Sequence, residues 1–299
     1  MRLQAGLRAL YGRSFRLLER LGVHVTPNHF YFPIPDTRSL DERVWTRHSK
    51  LIGIEMNEPG QLELLASFAA EFRGEYEALP REPTGVAHQF FLGNTRFDAV
   101  DSEILYCMVR RFRPARIFEI GSGYSTYLSA QALLKNHEAH GQPAELIACE
   151  PYPSPVLQAG FPGLSRLIPA RVQDVPLAEF KRLESGDILF IDSSHVLKIG
   201  SDVQYEFLEI LPRLKKGVLV HIHDIFLPAE YPRAWVLEHH KFWNEQYLLQ
   251  AFLSFNAAYE VLWGGSFMHL EHPDVLSEAF SSYDRLRSWP GSFWIRRVT

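Results

Sequence analysis

The chain has 299 residues, 46% of them hydrophobic and 22% charged, with a formal net charge of −4. This is an ordinary globular composition, long enough to bury a sizeable core, and its mild acidity excludes a basic field that would recruit nucleic acid. The two cysteines, Cys107 and Cys149, sit in apolar stretches without zinc-site spacing, as buried thiols of a reducing compartment do.

No apolar run approaches the ~20 residues of a membrane span. The N-terminus lacks the uninterrupted apolar core of a signal peptide, so a cytoplasmic location is expected. Leu3, Leu7, Leu10, Phe15, Leu18 and Leu21 recur near helical spacing, with Arg2, Arg8, Arg13, Arg16 and Arg20 around them. Such a basic amphipathic helix packs on its own domain, pairs with a sister subunit in a homo-oligomer, or makes a peripheral contact with an anionic membrane. Thr26 to Pro35 is extended, and its His29, Tyr31 and Phe32 are candidates for a lid. A second helix begins with Asn57 as cap and Pro59 in its first turn, and presents Leu62, Leu65, Phe68, Ala69, Phe72 and Tyr76 on one face. Leu79 to Gly85 reads as a linker. Residues 1–85 are therefore expected to form a mostly helical N-terminal extension and residues 86–299 the main domain.

Beyond the linker, strands and helices alternate, which implies an α/β fold: a parallel sheet with helices on both faces. The spacing predicts a helix from Ala99 to Phe112 and strands at Arg116–Ile120, Glu145–Glu150, Arg166–Arg171, Asp187–Asp192 and Gly217–Ile222. Further helices are predicted at Tyr124–Lys135, at Asp202–Leu211 capped by Ser201, and as one long element from Trp235 to Phe255. Tyr259–Trp263 and Phe293–Val298 close the sheet, with one of the two expected to run antiparallel.

Ligands of open α/β sheets bind outside the carboxyl ends of the strands. Glu119, Gly121, Gly123, Glu150, Asp174, Asp192, His223 and Asp224 gather at that edge. Glu119-Ile-Gly-Ser-Gly-Tyr-Ser-Thr126 is a strand-to-helix turn whose glycines allow close ligand approach and whose helix start offers free N–H groups. A dinucleotide wants a third glycine where Thr126 stands. An acid at the strand end, Glu119, suits a cationic ligand instead, and Glu150 can accept two ribose hydroxyls.

This turn, with the acid closing the next strand, resembles motif I and its partner in class I S-adenosylmethionine-dependent methyltransferases. Phe190-Ile-Asp-Ser-Ser-His195 and His221-Ile-His-Asp224 are similar to segments of bacterial O-methyltransferases related to the metal-dependent macrolide-sugar enzymes, and more distantly of the catechol and caffeoyl-CoA types. The resemblance runs from about Phe97 to the C-terminus. It implies a Rossmann-like methyltransferase sheet, with the cofactor held by Glu119, Gly121, Gly123, Ser125, Glu150, Asp174 and Asp192. Asp192 and Asp224, at the tips of adjacent strands, are placed to share a divalent cation, magnesium or manganese first, with His223 where the related enzymes carry an acid or amide. A histidine in a matching segment is the base of the macrolide-sugar enzymes, which makes His195 the expected general base and His223 the competing one. His221, two residues before His223, is expected to be a packed, hydrogen-bonded core histidine. Lys241 to Tyr247 is a candidate substrate-recognition run. The expected reaction is methyl transfer to a hydroxyl of a sugar, glycoconjugate or small natural product, so the partner is a small-molecule or glycan acceptor. An NAD-dependent oxidoreductase and a non-catalytic partner subunit are the alternatives.

Overall fold

The computed structural model describes residues 14–299. Of the basic N-terminal helix, residues 14–20 (α1) are helical, while Arg2, Leu3, Leu7, Arg8, Leu10 and Arg13 lie outside the described residues. An irregular stretch follows, with a short 3-10 turn at Thr37–Ser39 and one helical turn at Arg43–Thr46 (α2). Helix α3 (Glu58–Tyr76) starts at Asn57, as expected, but not by side-chain capping. Asn57 sits in the left-handed region, and its amide donates to the Val261 carbonyl at 3.2 Å, tying the helix start to the sheet.

The sheet has seven strands in the order β3-β2-β1-β4-β5-β7-β6. In chain order the elements are α4 (Asp101–Phe112), β1 (Arg116–Ile120), α5 (Tyr124–His140), β2 (Glu145–Cys149), α6 (Pro155–Ala159), β3 (Arg166–Ile168), α7 (Leu177–Phe180) and β4 (Ile188–Ile191). They continue with α8 (Asp202–Tyr205), β5 (Leu219–Ile222), α9 (Arg233–Leu237), α10 (Glu245–Leu253), β6 (Tyr259–Gly264), α11 (Gly265–Glu271), α12 (Pro273–Ala279) and β7 (Phe293–Arg297). Strands β1 to β5 pair in parallel, and β7 is antiparallel to both β5 and β6. This is the Rossmann-like α/β architecture expected from the sequence, a mostly parallel sheet with helices on both faces. The central strands are buried along their whole length, as a parallel sheet covered on both faces requires.

One apolar core, built around α3, α4, α5, α11 and α12, covers one face of the sheet. The other face is covered by α7, α10 and the segment from Val203 to Leu214. Leu65, Phe68, Phe72 and Tyr76 of α3 enter the first core, so this part of the N-terminal extension shares the core of the main domain.

Two helices differ from expectation. Ser201 does cap α8, its hydroxyl accepting from the Gln204 N–H at 3.1 Å. The helix then widens into a π turn at Glu206–Ile210 and ends as a 3-10 turn at Leu211–Arg213, where Pro212 cannot donate to the preceding turn. The single helix predicted from Trp235 to Phe255 is instead α9 and α10, with a break between Leu237 and Glu245. His240 there adopts a left-handed backbone, and the backbone N–H groups of Asn244 and Glu245 donate to the His195 carbonyl at 3.1 and 3.3 Å. Contact with the loop after β4 thus outcompetes continued helix.

Among the described residues, no helix is long and apolar enough to cross a membrane.

Candidate active site

At the carboxyl end of β1 the chain turns sharply through Gly121, whose φ is +79°. A Cβ built there would lie 1.8 Å from the Asp192 carbonyl oxygen, so only glycine fits between the tips of β1 and β4. Gly123 has extended backbone, and a Cβ there meets nothing within 4 Å; what it offers is clear space in front of α5. The Thr126 hydroxyl accepts from the Gly123 N–H at 2.9 Å, so the position where a dinucleotide site carries its third glycine is occupied by a residue that caps the helix.

Glu119 is buried behind this turn, 1% exposed. The Ser125 hydroxyl donates to its Oε1 at 2.5 Å, while Oε2 is buried without a hydrogen-bond partner among the described residues. Burial pushes its carboxyl up to about 8, against the opposing effect of the Ser125 and Thr126 hydroxyls. Because the folded value lies above the ordinary one near 4.5, the unfolded chain binds fewer protons between those values. Stability is therefore fully present below about pH 4.5 and is lost as pH rises through about 8. Thermal unfolding of the ligand-free protein should lose a few kcal/mol across this window, on the order of 1.4 kcal/mol for each pH unit. Glu119→Gln should flatten that slope; an unchanged slope would remove Glu119 as its source.

Glu150 follows β2 and holds the facing loop. Its Oε1 accepts from the Tyr152 N–H at 2.8 Å and its Oε2 from the Ser122 N–H at 3.3 Å. Asp174 ends a 3-10 turn after β3, exposed and paired with Arg171 at 2.9 Å.

The tips of β4 and β5 form a second group. Asp192, His195 and Asp224 each bring one ligand atom to within 4.8 Å of the others. His195 Nε2 lies 3.3 Å from Asp192 Oδ1 and 3.5 Å from Asp224 Oδ2. Its Nδ1 lies 2.9 Å from Glu245 Oε2. His195, the expected general base, is only 6% exposed, with φ +60° and its ring 4.3 Å from that of Trp243. Burial opposes its charge, but Asp192 and Glu245 outweigh that and hold its pKa well above the usual imidazole value. Asp224 also has a positive φ, +56°, and is backed by Gly291, where a Cβ would lie 3.1 Å from the Asp224 Cα. Buried Asp101 fixes that backing, accepting from the Gly291 and Ser292 N–H groups at 2.9 and 3.0 Å.

His223 stands apart from this group. Its Nε2 is 3.8 Å from Asp224 Oδ1, its ring packs 5.0 Å from Phe97, and its Nδ1 is buried without a hydrogen-bond partner among the described residues. His221 is packed as expected, stacked 3.9 Å from the Phe190 ring, but neither ring nitrogen has a hydrogen-bond partner among the described residues. Burial pushes its pKa well below the usual value, so it is a neutral core residue.

Sequence reasoning missed Glu245, whose carboxylate orients His195 from 50 residues away. Glu245 is fully buried, and its Oε1 has no partner among the described residues. No local motif marks it, because the contact exists only once the break before α10 has formed. Glu206, also fully buried, accepts from the Ser193 hydroxyl at 3.1 Å and backs the same loop.

Beside His195 and Trp243 opens a cleft of about 710 Å³. Pro33 and Ile34 line it, whereas His29, Tyr31 and Phe32 do not; Phe30 and Tyr31 are more than four-fifths exposed. The run from Lys241 to Tyr247 contributes Lys241, Phe242, Trp243, Asn244 and Tyr247.

Residues 118–225 match the family model of a methyltransferase domain. A protein of Archaeoglobus fulgidus, described only as uncharacterized, is 32% identical over 173 residues, spanning 54% of this chain and 75% of that one. Among solved structures, the apo-structure of CmcI-N160 is similar with 14% identity and a TM-score of 0.37, over 68% of this chain and 72% of that one.

Proposed function

We propose that this chain, whose residues 118–225 match a methyltransferase-domain model, is a class I methyltransferase that transfers a methyl group to a hydroxyl oxygen of a sugar, glycoconjugate or small natural product. The observation that carries this reading is the pair of acids around the Gly121 turn, one of them holding a buried oxygen, Glu119 Oε2, with no hydrogen-bond partner among the described residues. S-adenosylmethionine, when bound, supplies an electrophilic methyl on a cationic sulfur, together with an amino acid group and a ribose. Glu119 and the start of α5 suit the amino acid group, and Glu150 suits the ribose hydroxyls. Gly121 and Gly123 let the backbone come close.

Asp192, His195 and Asp224 fit a divalent cation, with two hard carboxylates and one imidazole converging from buried or half-buried positions. Such an ion supplies Lewis acidity, lowering the pKa of a bound hydroxyl and holding it in place. His195 then serves as a ligand rather than the free base expected from the sequence. Its Nδ1 is committed to Glu245 and its Nε2 faces two carboxylates, so without a cation the ring is held as an imidazolium, which cannot accept a proton. Glu245 acts as a positioning residue that keeps Nε2 turned toward the carboxylates.

Glu150→Ala tests the cofactor assignment. Each charge-assisted hydrogen bond contributes about 1.5–3 kcal/mol, so S-adenosylmethionine affinity by calorimetry should fall about tenfold or more. Affinity within twofold of wild type would remove Glu150 from the site.

A further inference from the structure

The cleft beside His195 is not explained by the methyltransferase domain match. One wall comes from Pro33 to Trp45, well before residue 118 where that match begins. The other comes from the β4 loop and the segment between Glu230 and Tyr247. The N-terminal wall is anchored. Trp45 Nε1 donates to the Tyr231 carbonyl at 3.1 Å, Arg233 pairs with Glu42 at 3.0 Å, and the Ser49 N–H donates to the Pro228 carbonyl at 2.8 Å.

Two features say what this cavity accommodates. Its surfaces are rings and branched aliphatics: Ile34, Leu40 and Trp45 on the N-terminal wall, and Val196, Tyr231 and Trp243 on the other. Its polar side chains are largely engaged. Glu230 Oε1 accepts from the Tyr247 hydroxyl at 2.6 Å and from the Gln246 amide at 3.1 Å. The Asn244 side chain takes the Leu197 N–H at 2.6 Å. Lys241 Nζ lies 4.1 Å from the ring centre of Trp235 and 4.4 Å from that of Trp243. Lys198 and His240 are the exposed exceptions. A free sugar brings hydroxyls around its whole perimeter, and burying them against engaged or apolar walls costs free energy for each one left unpaired. An apolar ring system displaces water from these walls at no such cost.

Building on the methyl-transfer reading above, we propose that this cleft is the acceptor site and takes a hydroxylated ligand with an apolar, ring-bearing body. A glycoside qualifies through an apolar aglycone. Trp243 joins the cleft to the chemistry, since it lines the cavity and its ring rests 4.3 Å from that of His195. The N-terminal extension is then the element that selects the acceptor.

The test uses the full chain with 2-naphthol and methyl α-D-glucopyranoside as probes, read by tryptophan fluorescence and calorimetry. 2-Naphthol should bind saturably and the glucoside should not compete with it. Ile34→Asp places a charge on a wall position that is 46% exposed, so folding is spared. It should weaken 2-naphthol about tenfold or more, as should Trp45→Ala. S-adenosylmethionine affinity is measured in parallel and should stay within twofold of wild type in both variants. Failure of 2-naphthol to bind, equal binding of the glucoside, or affinity within twofold of wild type in both variants overturns the acceptor-site assignment. Failure of the wild-type chain to bind S-adenosylmethionine overturns the methyl-transfer reading instead.

Discussion

Replacing His195 by Ala should abolish Mn²⁺ binding and lower kcat by about two orders of magnitude or more, while S-adenosylmethionine affinity stays within twofold of wild type. The reasoning starts from geometry. Nε2 is the only nitrogen among the three ligand atoms, set 3.3 and 3.5 Å from two carboxylate oxygens. Without it, two carboxylates face each other with neither a cation nor an imidazolium between them. Charge stabilisation by a bound ion amounts to several kcal/mol, and each 1.36 kcal/mol is tenfold in rate. Two controls separate the roles open to this histidine. Exhaustive chelation should bring the wild-type enzyme down to the level of His195→Ala; full activity after chelation would remove the metal from the mechanism. His223→Ala should keep Mn²⁺ binding, because His223 lies outside the ligand group. If His223→Ala loses the metal and His195→Ala retains it, the wrong histidine has been assigned.

The second large effect is expected from one methyl group. Gly121→Ala should destabilise the ligand-free protein by about 3 kcal/mol or more and eliminate measurable S-adenosylmethionine binding. A φ of +79° is strained for alanine, and the new Cβ would meet the Asp192 carbonyl oxygen at 1.8 Å. Both atoms belong to backbone at the β1 and β4 tips, so relief requires the strands to move apart. Asp192 moves with them, and the fault spreads from the proposed cofactor turn to the proposed metal group. Gly123→Ala is the comparison. Extended backbone and nothing within 4 Å predict thermal stability within about 1 kcal/mol of wild type, and any loss of cofactor affinity then reports ligand approach alone. Equal thermal stability of the two variants by calorimetry would contradict this distinction.

Local pattern was enough to place most of the sheet. β1 spans Arg116–Ile120 as the hydrophobic run predicts, and β2, β4 and β5 fall within their predicted runs, because buried parallel strands are short continuous apolar stretches bounded by turn residues. The turn at Glu119 to Thr126 and the acids after β2, β4 and β5 were equally legible, since strand-end residues of a parallel sheet share one edge whatever lies between them. That one of the last two strands runs antiparallel was expected, but that it is β7, inserted between β5 and β6, required the fold, because periodicity carries no information on strand order.

Side-chain partnership was not legible. Glu119 and Gly121 could be named, but that Gly121 faces the Asp192 carbonyl depends on strand order. His195 read as a loop histidine, and its burial between Asp192, Asp224 and Glu245 depends on the break before α10. The sequence Trp235 to Phe255 satisfies helical periodicity throughout. The backbone leaves it because the N–H groups of Asn244 and Glu245 and the Asn244 side chain find partners in residues 195–197. Local propensity of a few tenths of a kcal/mol per residue yields to several tertiary hydrogen bonds formed together. The sequence by itself therefore determined which chemical groups stand at the sheet edge. Long-range contacts alone decided which of them meet, and with what charge.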